Sequence, residues 1–218
     1  MQHETNQTTD REKAYTRQEM YDMYSEWAKD AKYEKEVTEN NYRGPLITSE
    51  AMVQFYPDEE VRKNLYILDV AAGTGMVGSL LKCKGFGKID ALDPNESMLN
   101  LAKSKSIYNR TFLIFLGEES TKAKLDRYDA VVVSGGFANG HIPCSGLDAL
   151  ISLTKPGGHV FIAMLEADLT GVEEYKDRLE PHMKELEVEG QWVAVSRTVT
   201  PNYYKGDPGV VFIFKVKR

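Results

Sequence analysis

An apolar run that ends in a glycine-rich turn constrains this chain more than any other feature. Tyr66-Ile67-Leu68-Asp69-Val70-Ala71 reads as a buried strand, and Gly73-Thr74-Gly75-Met76-Val77-Gly78 follows it with G-x-G-x-x-G spacing. The pattern after it predicts a helix over Met76–Lys84. Glycines at such a strand-to-helix turn permit a tight reversal and let a ligand approach the backbone closely. Without such a use, three glycines in six residues only weaken the element.

The rest of the chain repeats the theme. Ile89–Leu92, Phe112–Leu116, Ala130–Val133 and His159–Met164 read as strands, the last of them after the turn Pro156-Gly157-Gly158. Helices are predicted over Glu96–Ile107 and Ser145–Thr154 between them. Strands alternating with helices of about ten residues imply βαβ units and a mostly parallel sheet covered on both faces. The C-terminal part differs. Gly171–Glu187 reads as a helix, and Trp192–Val199 and Val210–Val216 alternate as two antiparallel strands joined by a long loop over Pro201–Gly209. Upstream, Met20, Met23, Tyr24 and Trp27 form one apolar stripe on a helix predicted from Thr16 to Asn41. Gly44-Pro45 ends it, and a second helix is expected over Leu46–Tyr56, closed by Pro57-Asp58. The expected organisation is a disordered start over 1–15 and one domain over 16–218. That domain comprises a helical cover over 16–57 and a Rossmann-like α/β core over 64–218.

Composition narrows the function classes. The chain has 218 residues, a formal net charge of −6 and two cysteines, Cys83 and Cys144. Two cysteines make no disulfide framework and suit a reducing compartment. No apolar run approaches the ~20 residues that span a bilayer, and the polar Met1–Asp10 stretch does not resemble a secretory signal. A cytoplasmic protein is therefore expected, without a membrane partner. The acidic balance, with no basic patch interleaved with aromatics, argues against nucleic acid. A small-molecule substrate is expected, with a protein substrate as the other option; the oligomeric state is not legible.

Two carboxylates carry the binding chemistry. Asp93 lies just past the second predicted strand, 20 residues beyond Gly73, where an acid accepts hydrogen bonds from ribose hydroxyls. It could otherwise cap the next helix, but Asn95 serves that purpose as well. Asp69 interrupts a buried strand, where an ionised group costs several kcal/mol unless it finds a partner. A ligand ammonium would satisfy it, and so would the amides of the turn, whereas a pyrophosphate would be repelled. His141-x-x-Cys144 has half the spacing of a zinc site, but no second pair exists and no metal is expected. His141 could instead face a substrate as a base. Phe137, Asn139, His141, Tyr203 and Tyr204 fall on loops expected at the carboxyl ends of strands and are candidate substrate contacts.

Leu68-Asp69-Val70-Ala71-Ala72-Gly73-Thr74-Gly75 resembles the first motif of class I S-adenosylmethionine-dependent methyltransferases. Asp93 with Met98-Leu99 resembles their second motif, and Leu116-Gly117-Glu118-Glu119 the segment that meets the adenine edge. Tyr128-Asp129-Ala130 leading to Ser134-Gly135-Gly136 resembles the fourth motif, and Thr154-Lys155-Pro156-Gly157-Gly158 the turn before the fifth strand. Tyr24, Trp27-Ala28, Tyr42-Arg43 and His141-Ile142-Pro143-Cys144 are similar to the methyltransferase-like proteins of the Williams–Beuren syndrome region, in which a Tyr-x-x-Trp-Ala helix covers the cofactor. Two departures stand out: Ala72 replaces a frequent cysteine, and the second tyrosine of the N-terminal motif, Tyr33, comes about two residues late.

The resemblance implies a seven-stranded sheet with a C-terminal antiparallel hairpin. It also implies a cofactor, S-adenosylmethionine, with S-adenosylhomocysteine as product. The implied cofactor contacts are Tyr24, Trp27, Asp69, Ala71, Gly73, Gly75, Asp93, Pro94, Met98, Gly117, Glu118 and Ser134. Methyl transfer needs alignment more than acid–base chemistry, so no catalytic residue is assigned. Three other functions share these motifs or this fold: a non-catalytic cofactor-binding protein, an NAD-dependent oxidoreductase, and an aminopropyl transferase that uses the decarboxylated cofactor. Against the second, no tyrosine has a lysine four positions on.

Overall fold

The computed structural model describes residues 15–118 and 127–217; the N-terminal stretch expected to be disordered falls almost entirely outside them, as does Glu119. The first strand is built from residues that only a doubly covered sheet can hold. In β1 (Tyr66–Val70) Ile67, Leu68 and Val70 are all fully buried, because successive side chains point to opposite, equally covered faces. Around it lie β2 (Lys88–Asp93), β3 (Thr111–Leu113), β4 (Tyr128–Ser134), β5 (Thr154–Leu165), β6 (Trp192–Tyr204) and β7 (Asp207–Val216), in the order β3-β2-β1-β4-β5-β7-β6. β1 to β5 run parallel, and β7 inserts antiparallel between β5 and β6. The chain steps outward from β1 to β3 and then returns to the other side of β1. The strand order reverses between β1 and β4, and open α/β sheets bind ligands outside the carboxyl ends at such a point.

One face packs Leu68, Val70, Val131 and Val133 against α7 (Gly146–Leu153) and α9 (Leu179–Val188). There Trp192 stacks on Phe214 at 3.9 Å and donates its indole N–H to the Met183 carbonyl. The other face packs Ile67, Ala130 and Phe161 against α3 (Gly44–Phe55) and α5 (Met76–Cys83). Between β2 and β3, α6 (Glu96–Ser104) starts at Asn95, whose side chain accepts from the Met98 amide.

Several expected elements change shape. The long N-terminal helix is two: α1 (Arg17–Trp27), opened by a capping box of Thr16 and Glu19, and α2 (Lys32–Glu39). Asp30 adopts φ +53 between them, a left-handed bend that Asp tolerates better than most residues. The bend folds Tyr33 back onto Tyr24 and Trp27. A short helix α4 (Glu59–Asn64) was not expected; its signal was Asp58, which caps it. The predicted helix Gly171–Glu187 is instead the short α8 (Asp168–Gly171), a series of turns, and then α9. The strand expected over Phe112–Leu116 stops at Leu113, after three partners on β2. The long hairpin loop is absent: Lys205 and Gly206, both with positive φ, turn β6 directly into β7. Pro201 sits inside β6 without harm, because that strand lies at the sheet edge.

Among the described residues, no helix is long and apolar enough to cross a membrane, and no cluster of three potential metal ligands occurs.

Candidate functional site

Where β1 ends, the backbone curls rather than continuing. Ala71 and Gly73 both take φ +54, Ala72 donates to the Leu92 carbonyl, and Gly75 donates back to Ala72. Ala71 is the costly member, since a side chain disfavours that region. The third glycine of the motif has a packing reason. A Cβ on Gly78 would fall 2.4 Å from the Tyr108 hydroxyl, and its absence lets that hydroxyl donate to Asp69 Oδ2 at 2.6 Å. The Gly78 amide donates to the same oxygen at 3.1 Å.

This curl and the end of β4 border a cavity with about 1050 Å³ of empty space, counting its open mouth. From the core side it is lined by Val70, Ala71, Gly73, Leu92, Asp93, Pro94, Met98 and the Ser134–Gly136 turn. The loop after β4 adds Gly140, His141, Ile142 and Pro143, and the segment after β3 adds Phe115 and Leu116. The N-terminal segments close it with Arg17, Met20, Tyr21, Tyr24, Tyr33 and Tyr42. Two latches hold this cover. Asn95 Nδ2 donates to the Tyr21 carbonyl and to Ser25 Oγ, both at 2.9 Å, and the Tyr24 hydroxyl lies 2.7 Å from His141 Nε2.

Asp93 is the buried carboxylate on this wall. Oδ2 accepts from the Gly73 amide at 2.7 Å and Oδ1 from the Asn95 amide at 2.8 Å. Burial raises its pKa to about 6 despite those two bonds. Because Asn95 caps α6, Asp93 is left to tie the glycine loop to the end of β2 while lining the cavity. Of the two caps the sequence offered, Asp93 and Asn95, it is Asn95 that caps α6.

The structure brings together on the wall Tyr24, Ala71, Gly73, Asp93, Pro94, Met98, Ser134 and His141 of the expected residues. It does not bring the others there. Asp69 is turned behind the loop, taken by Tyr108 and Gly78, and burial raises its pKa to about 7; the amide-and-hydroxyl network satisfies it, not an exposed ligand site. Gly75 faces Tyr108, Ala102 and Ile107. Trp27 backs the Tyr24 and Tyr33 rings at 5.7 Å each. Gly117 and Glu118 lie beyond the wall, with Glu118 paired to Arg17 at 3.8 Å. Phe137 is fully buried against Tyr175. Asn139 contributes its carbonyl to His141 Nδ1. Tyr203 is buried, its hydroxyl donating to the Ala163 carbonyl, and Tyr204 packs on the Tyr42 ring. Sequence reasoning left out Arg17, Tyr33, Tyr42, Phe115 and Ile142. Tyr33 and Tyr42 had been visible as motif positions, whereas nothing local in the sequence aims Arg17 or Phe115 at a cleft.

A family model described as "Methyltransferase domain" matches residues 24–200. The chain belongs to the methyltransferase-domain family. The methyltransferase domain has curated relatives of the same kind. Human methyltransferase-like protein 27 is 32% identical over 170 residues, covering 78% of this chain and 66% of that protein. Demethylmenaquinone methyltransferase of Clavibacter sepedonicus is 35% identical over 98 residues, covering 44% of this chain and 39% of its own. The chain thus spans less than two thirds of the length of these relatives. In fold, the methyltransferase domain is similar to magnesium protoporphyrin IX methyltransferase of Synechocystis PCC 6803, with a TM-score of 0.64 at 12% identity over 90% of this chain and 97% of that one. The resemblance to class I methyltransferases and the expected seven-stranded architecture are both borne out.

Proposed function

We propose that the protein is an S-adenosylmethionine-dependent methyltransferase acting on a small-molecule acceptor. The observation that carries this is the pairing of Asp93 with the glycine turn: a buried carboxylate on the wall of a cleft at the carboxyl ends of β1, β2 and β4. The residues present fit the cofactor. Gly73 is the open part of the cradle, since a Cβ built there meets no atom within 4 Å. Asp93 would hold the ribose hydroxyls, Pro94, Met98, Phe115, Leu116 and Ile142 would form an apolar slot for the base, and Ala71, Ser134, Tyr24 and Tyr33 would surround the amino-acid end.

When bound, that cofactor supplies a methyl group on an electrophilic sulfonium and leaves as S-adenosylhomocysteine. The chain's own task is then to align an acceptor and exclude water, which is worth up to about 7–11 kcal/mol of barrier. The cover over Arg17–Tyr42 supplies the exclusion. The named activity of a sequence relative, on demethylmenaquinone, supports a small organic acceptor.

Calorimetry with S-adenosylmethionine, S-adenosylhomocysteine and NAD tests the reading. Both adenosyl compounds should bind, and Asp93→Ala should weaken them at least about tenfold, the loss of one charge-assisted hydrogen-bonding group. Retention of NAD alone, or unchanged affinity in Asp93→Ala, refutes it.

A further inference from the structure

The cavity wall carries an imidazole whose proton the surrounding atoms locate. His141 Nδ1 lies 2.8 Å from the Asn139 carbonyl oxygen. A carbonyl only accepts, so Nδ1 bears the hydrogen and Nε2 bears the lone pair. The Tyr24 hydroxyl, 2.7 Å from Nε2, is therefore the donor of that bond. The Tyr24 and His141 rings meet edge-on at 5.5 Å. Both groups line the same cavity as the Ser134–Gly136 turn at the end of β4.

Burial lowers the His141 pKa below the ordinary imidazole value, so the ring is neutral at neutral pH and its lone pair is available. Burial raises that of Tyr24 far above the phenol range, so Tyr24 stays a phenol and relays a proton instead of keeping one. The other titratable or charged groups on the wall are Arg17 and Tyr21 from α1, Tyr33 from α2, Tyr42 before α3, and Asp93 from β2. Among the described lining residues no lysine or glutamate competes for the role, and Asp93 is already engaged by two amides.

We propose that His141, reached through the Tyr24 hydroxyl, takes up the proton that the acceptor gives up on methylation, so that the acceptor is a protic nucleophile, one that carries a hydrogen on the atom that is methylated. This rests on the cofactor reading above. As the bond between the acceptor atom and the methyl carbon forms, the carbon–sulfur bond breaks and its electron pair stays on sulfur. The acceptor's proton passes to the Tyr24 oxygen, and the Tyr24 proton passes to Nε2. Tyrosine is regenerated, and the imidazolium keeps its Nδ1 bond to the Asn139 carbonyl. One positive charge leaves the sulfonium and one appears on the ring, so the cavity's net charge is constant. A low pKa in the resting state is then an asset. With a sulfonium bound, His141 would be held neutral before transfer, and loss of that charge would raise the basicity of the ring as the methyl moves.

Histidine-labelled NMR titration of the full chain, saturated with S-adenosylmethionine or with S-adenosylhomocysteine, tests this without a known acceptor. His141→Asn identifies the resonance. The Nδ1–H tautomer should appear in both complexes. The His141 pKa should be higher by about one pH unit in the S-adenosylhomocysteine complex, the effect of one charge within roughly 10 Å at an effective dielectric near 20. Tyr24→Phe should raise it further, because the donor that favours the neutral ring is gone. Equal values in the two complexes, an Nε2–H tautomer, or no response to Tyr24→Phe overturns the proposal. If neither compound binds, both readings fail; if both bind and the titrations coincide, this one alone fails.

Discussion

Replacing Asp69 by asparagine should remove a loss of stability that the ligand-free protein undergoes as pH rises from 5 to 8. Asp69 is 1% exposed, and both of its bonds, from Tyr108 Oη and the Gly78 amide, fall on the single oxygen Oδ2. An asparagine carbonyl accepts both without rearrangement. The substitution removes the charge and puts an amide NH2 in place of Oδ1, a change whose cost does not vary with pH and so offsets the whole curve without altering its slope. The folded pKa of about 7 lies above the 3.8 of the free side chain, chiefly because burial disfavours the ionised form. The folded state therefore binds more protons than the unfolded chain in that window, and stability falls as pH rises through it. The whole displacement corresponds to about 4 kcal/mol, of which about 3 kcal/mol falls between pH 5 and pH 8. Urea denaturation of both proteins at pH 5, 6, 7 and 8 reads this directly. Relative to the wild type, the asparagine variant should gain stability steadily with pH; subtraction cancels the titrations that do not sense Asp69, whereas Asp93, whose charge acts on Asp69, contributes to the difference. Parallel curves would mean that Asp69 is charged at little cost, and a difference that moves toward the wild type as pH rises would mean that the ionised carboxylate holds the loop together. Either result refutes the reasoning.

Other expectations follow from the same contacts. Gly87→Ala should destabilise by roughly 1–3 kcal/mol, because its Cβ would fall 2.1 Å from the Lys63 backbone carbonyl, which cannot swing aside; an unchanged denaturation midpoint would contradict this. Hydrogen exchange over residues 16–42 should slow when S-adenosylmethionine is added, since α1 is held to the core by the Asn95 and His141 latches at the cavity. An unaltered exchange pattern there would argue that the cover is as rigid without ligand as with it.

The β1 strand and its glycine loop were legible because apolar periodicity and glycine spacing are local properties, imposed by sterics on each residue in turn. The same holds for Asp93 at the end of β2 and for Asn95 as the cap of α6. Asp69 shows where locality stops. A carboxylate in a buried strand announces a partner but not its identity, and here the partner is Tyr108, 39 residues away. The bend at Asp30 and the two-residue turn at Lys205-Gly206 were equally hidden, because each depends on what the flanking segments pack against.

By itself, then, the sequence determined the parallel α/β core, the glycine loop and the acid beside it, all written in short-range patterning. Only the tertiary structure decided which side chains face the cavity. Tyr24, Tyr33, Tyr42 and Arg17 reach it, while Trp27, Phe137 and Tyr203 are turned into packing. A side chain's direction relative to a cleft is set by the joint placement of elements distant in the chain, and no pattern within one element carries that information.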